Sequence, residues 1–178
     1  MATRQTALLK QRGTHHVGNL NSLKVRTLPH GAKVVDADID NFTLVELDFE
    51  AETGERVCRQ LSDVTKKGYL IATPENRMMG EELVDFYNAV GEYARIVFLD
   101  EGLRFETSAF TLNTDVTEIK NGYVAHFDPA TKTFIISNPA SPHADYANAK
   151  DKFLVVNSEE DLEYTNGKPL VRLEVMAQ

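Results

Sequence analysis

The chain has 178 residues, a formal net charge of −8 and 42% apolar side chains, a composition typical of one folded globular domain and not of a disordered chain. No apolar run approaches the ~20 residues of a membrane-spanning helix, and the basic N-terminus lacks the continuous apolar core of a secretory signal. Cys58 is the single cysteine, which excludes an internal disulfide and a cysteine-based zinc site. We therefore expect synthesis in the cytoplasm and no membrane partner.

Charge is sorted abruptly along the sequence. The first 35 residues carry six basic side chains and no acidic one, so subtracting +6 from the total of −8 leaves −14 for residues 36–178. A uniform solvent shell gives no reason for such sorting, so the two regions should meet different surroundings. We predict an extended basic N-terminal arm over residues 1–33 and a single β-rich globular domain over residues 34–178.

The arm combines basic and apolar residues and has no sustained helical period. The apolar residues spaced through positions 20–28 would be unnecessary in a solvated linker, so we predict that the arm lies on another protein surface. The alternative is a flexible tail whose positive charge only aids solubility. The predicted partner-binding residues are Arg4, Lys10, Arg12, Leu20, Leu23, Lys24, Val25, Arg26, Leu28 and Lys33.

From Val34 onward, apolar residues alternate with polar ones, as half-buried strands require. Residues 42–49 and 56–61 predict a hairpin, because Gly54 in the turn between them can take a positive φ. Residues 122–127 and 133–137 predict a second hairpin, because Asp128 and Pro129 favour a turn. Further strands are predicted at 69–73, 93–99, 103–110, 153–157 and 171–176. The predicted fold is mainly β, an antiparallel barrel or sandwich built from hairpins.

Residues 80–91 break the strand pattern. Leu83, Phe86, Tyr87 and Val90 recur at helical spacing, acidic residues occupy the first turn, and Gly91 can end a helix in a left-handed conformation. We predict one short amphipathic helix that covers one end or face of the sheet.

No sequence motif indicates catalysis or cofactor binding. Glycine-rich phosphate loops are missing, and His30, His126 and His143 have no recognisable ligand spacing. Cys58 lies within a predicted strand and reads as a buried small side chain, and Ser108 reads as a strand residue and not as a nucleophile. We therefore expect a protein without enzymatic activity, catalytic residues, cofactor or bound metal.

Several stretches resemble small structural proteins of tailed bacteriophages. They are GYLIATPE at 68–75, GEELVDFYN at 80–88, EGLRFETSAF at 101–110, GYVAHFDP at 122–129 and KFLVV at 152–156. The resemblance implies a head decoration or minor capsid protein located in the virion and synthesised in the host cytoplasm. It further implies that the arm binds and stabilises the capsid shell, with the major capsid protein or other virion subunits as partners.

Other readings of the same features stay open. A tail or connector subunit would share the β-rich body and the arm, and the chain could also form a homo-oligomer. A basic arm could instead bind nucleic acid by neutralising phosphates. Against nucleic acid, no aromatic residue precedes Phe42 for base stacking, and the acidic remainder of the chain would repel a polyanion.

Overall fold

The computed structural model of the protein describes residues 15–75, 82–157, 163–164 and 168–177. Strands dominate these residues, and the longest of them has seven residues. In chain order the strands are β1 (Gly18–Leu20), β2 (Ala32–Val34), β3 (Leu44–Glu50), β4 (Glu55–Gln60), β5 (Tyr69–Ile71), β6 (Tyr93–Ala94), β7 (Ile96–Val97), β8 (Arg104–Thr107), β9 (Phe110–Leu112), β10 (Val124–Asp128), β11 (Thr133–Ser137), β12 (Lys152–Val155), β13 (Glu163–Tyr164), β14 (Lys168–Pro169) and β15 (Val171–Val175).

The strands form two main sheets and one isolated pair, β13–β14. The first sheet has the order β1-β8-β15-β12-β10-β11-β9, and the second has the order β6-β2-β4-β3-β5-β7. Each main sheet contains one parallel pair, β9 with β11 and β2 with β4, among otherwise antiparallel neighbours. The prediction of a mainly β fold is confirmed. The prediction of a purely antiparallel fold is wrong, and the described strands form two mixed sheets without a closed barrel.

The two main sheets pack over a common core. Phe105, Phe134 and Phe153 of the first sheet form its aromatic centre, with ring centroids 5.2–5.8 Å apart. Leu44 and Leu70 of the second sheet pack into the same cluster. This arrangement follows from the alternation of the sequence, since one face of each strand supplies the apolar side chains.

The second sheet is also apolar on its other face. Val45 and Ile71, the neighbours of the two core leucines, belong to a smaller buried cluster together with Cys58 and Ile96. The sheet curls around this cluster, because its two edge strands, β6 and β7, follow each other in the chain with only Arg95 between them. The second sheet is therefore buried on both faces: the first sheet covers one face, and the curvature of the second sheet encloses the other.

Both predicted hairpins are confirmed. Strands β3 and β4 pair in register from Val45 and Gln60 down to Glu50 and Glu55. Strands β10 and β11 pair over five residues each, and the Asp128 carboxylate accepts hydrogen bonds from the backbone N–H groups of Ala130 and Thr131 in the turn. The side chain thus fixes the turn as the sequence predicted.

The predicted single strands are confirmed, with two interruptions. The strands predicted at 69–73, 153–157 and 171–176 are β5, β12 and β15. The strand predicted at 93–99 is divided at Arg95, where the chain passes from one edge of the second sheet to the other. The strand predicted at 103–110 is divided at Ser108, whose backbone N–H bonds to Val17 before the chain continues as β9.

The predicted amphipathic helix is wrong in its described part, and Gly80 and Glu81 lie outside the described residues. A single 3₁₀ turn at Leu83–Asp85 is followed by extended backbone at Phe86. Asn88 exchanges two backbone hydrogen bonds with Ile39, a pairing that a helix would forbid. An amphipathic helix needs one face toward solvent, and this segment lacks such a face. Its buried residues are Val84, Phe86, Tyr87, Asn88 and Ala89.

A second 3₁₀ turn, Ala144–Ala147, lies between β11 and β12. None of the helical segments in the described part of the chain has the length and apolar content that crossing a membrane would require.

Candidate functional site

The described half of the predicted arm, residues 15–33, is fastened to both sheets. Strand β1 pairs with β8 and forms one edge of the first sheet. Farther along, the Leu28 N–H donates to the Ile96 carbonyl at 2.9 Å, and Thr27 forms a bridge with Val97 of the second sheet. In this stretch the chain is therefore part of the folded body. The predicted boundary at residue 33 stays a prediction.

Gly18 allows this close approach. A Cβ atom added at Gly18 would meet the Glu106 carbonyl oxygen at 2.1 Å and the Phe42 ring at 2.5 Å. Phe42 itself takes a φ of 58°, which is unusual for a bulky residue. Its backbone is held there by two hydrogen bonds, from Phe42 N–H to Ile71 at 2.8 Å and from the Thr107 hydroxyl to the Phe42 carbonyl at 3.0 Å.

An ion pair between the neighbouring strands β8 and β15 also helps to hold β1. The Arg172 guanidinium donates to Glu106 Oε1 at 2.6 and 2.9 Å, and Glu106 is only 5% exposed. The side-chain amides of Asn21 and Asn19 donate to the same carboxylate at 2.9 and 3.3 Å. The asparagines of the N-terminal segment thus complete the hydrogen bonding of a buried charge, which removing either of them would leave partly unsatisfied.

The chain after β1 forms a loop that projects an apolar side chain. The Ser22 hydroxyl donates to the Arg104 carbonyl and accepts from the Arg104 N–H, which anchors the loop to β8. Leu23 is 107% exposed, and Lys24 beside it is exposed as well. Leu20 and Val25 are half-buried against the main core. Among the predicted apolar contact residues in this loop region, Leu23 is the one presented to solvent.

Two basic residues of the predicted arm have acidic partners within the chain. The Arg26 Nε donates to Asp100 Oδ2 at 3.0 Å, and the guanidinium lies 4.3 Å from the Phe98 ring centroid. The hydrogen bond to Asp100 raises the pKa of Arg26. The Lys33 ammonium donates to Glu55 at 3.0 Å. Leu28 packs against the smaller core. Arg4, Lys10 and Arg12 lie outside the described residues, and a partner-binding role for the whole predicted set stays a prediction.

The adjacent histidines bind different partners. His15 Nδ1 lies 2.5 Å from Asp40 Oδ1, and the His15 ring stacks on Tyr87. His16 Nδ1 lies 3.2 Å from the Ser108 hydroxyl, which also accepts from the Val17 N–H at 2.9 Å. Burial lowers the pKa of His16. We call His15 and His16 the N-terminal histidine pair. Their contacts with Asp40 and Ser108 fasten the N-terminal segment to the body.

Cys58 is buried on β4, as the sequence predicted. Burial raises the pKa of its thiol to about 12, so the thiolate is scarce at neutral pH.

A second histidine group, His126, His143 and Asp145, lies on the first sheet. His126 is in the middle of β10, and its ring faces away from the main core that the neighbouring Ala125 and Phe127 enter. The His143 ring stacks on it with centroids 5.2 Å apart, and Asp145 follows in the 3₁₀ turn. The potential ligand atoms of the three side chains all lie within 4.8 Å of one another. We call these three residues the His126 cluster.

The His126 ring is completely buried, yet neither of its nitrogens has a hydrogen-bond partner among the described residues. Burial is the main reason that the pKa of His126 is lowered to about 4, with a further contribution from His143. The cluster opens onto a cavity of about 420 Å³ that Asp63, Asp128 and Asp145 help to line.

The sequence did not predict the His126 cluster. His126 and His143 are separated by a hairpin and a loop, so no short ligand spacing marks them. One available signal was His126 itself, a polar residue at the centre of a strand, between the apolar Ala125 and Phe127.

The chain is similar in sequence to known proteins over almost its whole length. The family model described as "YonC prophage protein" matches residues 11–176. The "SPbeta prophage-derived uncharacterized protein YonC" of Bacillus subtilis (strain 168) is 60% identical over 177 residues, which cover 99% of this chain and 99% of that protein. No solved structure matches the chain significantly. The chain therefore belongs to the YonC prophage protein family and is a phage-derived protein.

Proposed function

We propose that the protein is a structural component of a phage virion, and specifically a head decoration or minor capsid protein that binds the shell through its N-terminal region. Membership of a prophage family supports the phage setting. The acid-free first 35 residues support an interface with an acidic protein surface. The Ser108 hydroxyl accepts a hydrogen bond from the Val17 N–H and so helps to fasten the N-terminal segment to the body.

The observation that carries the proposal is the anchored loop at Ser22–Lys24 beside an edge strand. The Ser22 hydroxyl is hydrogen-bonded to the backbone carbonyl and N–H of Arg104, so the fully exposed Leu23 is presented from an anchored loop and not from a loose tail. Strand β1 lies at the edge of the first sheet, where a partner strand could add to it. We name Gly18–Lys24 the docking edge.

In the sequence, the docking edge follows the predicted basic residues Arg4, Lys10 and Arg12. A partner that covers Leu23 would also meet the positive charge of the exposed Lys24. On a repeated shell lattice, many copies engage at once, so that each contact can be small without loss of occupancy.

Incorporation into particles tests the proposal. We expect the double variant L23D/K24E to lower the copy number in purified particles at least tenfold, because it removes the apolar contact and reverses the charge. The matched control is L112D, since Leu112 is exposed on β9 at the opposite edge of the same sheet. Quantitative mass spectrometry of particles measures the copy number of each variant.

Truncation refines the test. Deleting residues 1–33 would remove β1 and two of the three residues of β2 and damage the body, whereas deleting residues 1–14 spares every described strand. We expect the shorter deletion to reduce incorporation and to leave the body folded. Absence of the wild-type protein from particles would refute the proposal, and density on the tail in electron micrographs would replace the head role by a tail role. Steeply salt-dependent DNA binding that needs residues 1–14 would favour the nucleic-acid alternative.

A further inference from the structure

We propose that the His126 cluster binds a divalent transition-metal ion, with Zn²⁺ as its best match. Two imidazoles and one carboxylate, from His126, His143 and Asp145, form the donor set. Such nitrogen and oxygen ligands suit zinc, whereas Mg²⁺ and Ca²⁺ prefer oxygen alone. The proposal is independent of the virion role.

The first support is the state of His126. Its ring is fully buried on the central strand β10, and both nitrogens lack a partner in the described part of the chain. A buried polar group without a hydrogen bond destabilises a fold, so such groups need an explanation. Coordination of a metal ion by one ring nitrogen supplies a partner that the described residues do not.

The second support is the way in which the other two ligands are placed. His143 caps the 3₁₀ turn by accepting a hydrogen bond from the Asp145 N–H, and the Asp145 carboxylate lies 3.6 Å from the His143 ring nitrogen Nδ1. The turn therefore places both side chains beside the His126 ring, and a metal ion bound to His143 Nδ1 would replace the hydrogen bond from the Asp145 N–H. The backbone N–H of His143 donates to the Ser137 hydroxyl at 3.2 Å, which holds the turn against β11.

The distances are compatible with a metal site after a small closure. Ligand atoms around a tetrahedral zinc ion lie roughly 3.3 Å apart, given bond lengths near 2.0–2.1 Å. The three donors span at most 4.8 Å, and Asp145 is exposed enough to rotate inward. The buried histidine is the fixed member, and the half-buried and exposed ligands close on it.

The third support is the cavity beside the cluster. Its volume of about 420 Å³ leaves room for water to complete the coordination, as in zinc sites with three protein ligands. Asp63 and Asp128 add negative charge to its wall. The Asp128 oxygens are engaged by the backbone of the hairpin turn, so this residue contributes charge and not a ligand bond.

Metal titration of the full-length chain tests the proposal. After treatment with EDTA and removal of the chelator, we expect calorimetry to show one Zn²⁺ bound per chain, and Co²⁺ to give a visible absorption band of tetrahedral intensity. Zn²⁺ should also raise the unfolding temperature. Mg²⁺ and Ca²⁺ at the same concentrations should produce none of these changes.

Variants assign the site. H143A and D145N should each weaken Zn²⁺ binding at least about tenfold and abolish the thermal shift. Both residues lie outside the core, so their circular dichroism spectra should match the wild type. The matched control is H30N, because His30 lies outside the cluster at a φ of 65°, which asparagine accepts. No Zn²⁺ binding by the wild type, or equal binding by the H143A/D145N double variant, would overturn the proposal.

Discussion

The N-terminal histidine pair and the His126 cluster use the same side chain in opposite ways. His15 and His16 have ring nitrogens at 2.5 Å from Asp40 and 3.2 Å from Ser108, and these contacts hold the N-terminal segment on the body. His126 is buried on a central strand with neither nitrogen paired. Hydrogen-bonded histidines are explained by the fold that they fasten. His15 has one ring nitrogen paired and only Nε2 buried without a partner among the described residues, whereas His126 has neither nitrogen paired there, which is why we propose a bound ion at His126.

The largest expected effect tests how firmly the N-terminal segment is fastened. In G18V, the new side chain would overlap the Glu106 carbonyl and the Phe42 ring, so β1 could not pair with β8. We expect a loss of about 3 kcal/mol or more in the free energy of unfolding, measured by urea denaturation.

The matched control for G18V is G54N. Gly54 has a φ of 73° and nothing within 4 Å of an added Cβ, so asparagine should cost well under about 1 kcal/mol. Equal losses in the two variants would show that the segment is not fastened at Gly18.

The pH dependence of stability probes the buried ring of the His126 cluster. Burial lowers the pKa of His126 to about 4, below the ordinary value of 6.5. Between pH 6.5 and pH 4, His126 is protonated in the unfolded chain but neutral in the folded chain. Its contribution to the free energy of unfolding is therefore complete above pH 6.5 and is lost as the pH falls toward 4. In EDTA, urea denaturation should show a loss of about 2 kcal/mol from this group between pH 7 and pH 4.

The variant H126L is the control for this pH effect, because it removes the titrating group. Its stability should fall less steeply than that of the wild type over the same pH range. Parallel curves for the two proteins would show that other groups cause the acid sensitivity.

A pair of leucine substitutions tests the contrast directly at pH 7 without metal. H126L removes two unpaired buried nitrogens and should raise the free energy of unfolding by about 1 kcal/mol. H15L removes the partner of Asp40 and the stacking on Tyr87, so it should lower the same quantity by about 1 kcal/mol. If urea denaturation showed the free energy of unfolding changing in the same direction in both variants, the contrast between His126 and His15 would be wrong.

The smallest expected effect concerns Leu23. Because its side chain is fully exposed, L23D should change the free energy of unfolding by less than about 0.5 kcal/mol, as measured by thermal and urea unfolding. The loss of particle incorporation expected for L23D/K24E would then reflect docking and not folding. A clear destabilisation would show that Leu23 packs within the chain.

Local alternation predicted most of the strands. The hairpins β3–β4 and β10–β11 combine period-two patterns with turn residues whose preferences are local, so their positions could be read from the sequence. The parallel pairs β2–β4 and β9–β11 could not, because partners that are distant in sequence leave no local signal. The helix prediction failed because an apolar spacing of three and four also fits a segment that is buried on several sides and paired through Asn88.

The site residues show the same limit. The asymmetry of charge marked the N-terminal region, but it could not reveal that Arg26 and Lys33 meet Asp100 and Glu55 of the same chain. The His126 cluster arises from the packing of a 3₁₀ turn on a strand, a contact that depends on the whole sheet. Sequence spacing alone could not predict this contact.

The course of the chain through Arg95 limits aggregation. Tyr93–Val97 supplies both edges of the second sheet, so the unpaired backbone of these edges is confined to a few residues. Part of that backbone is further occupied, since the Phe98 N–H donates to Arg26 and the Ile96 carbonyl accepts from Leu28. A neighbouring molecule therefore finds almost no free strand on this sheet to extend, and intermolecular strand addition is directed to the first sheet.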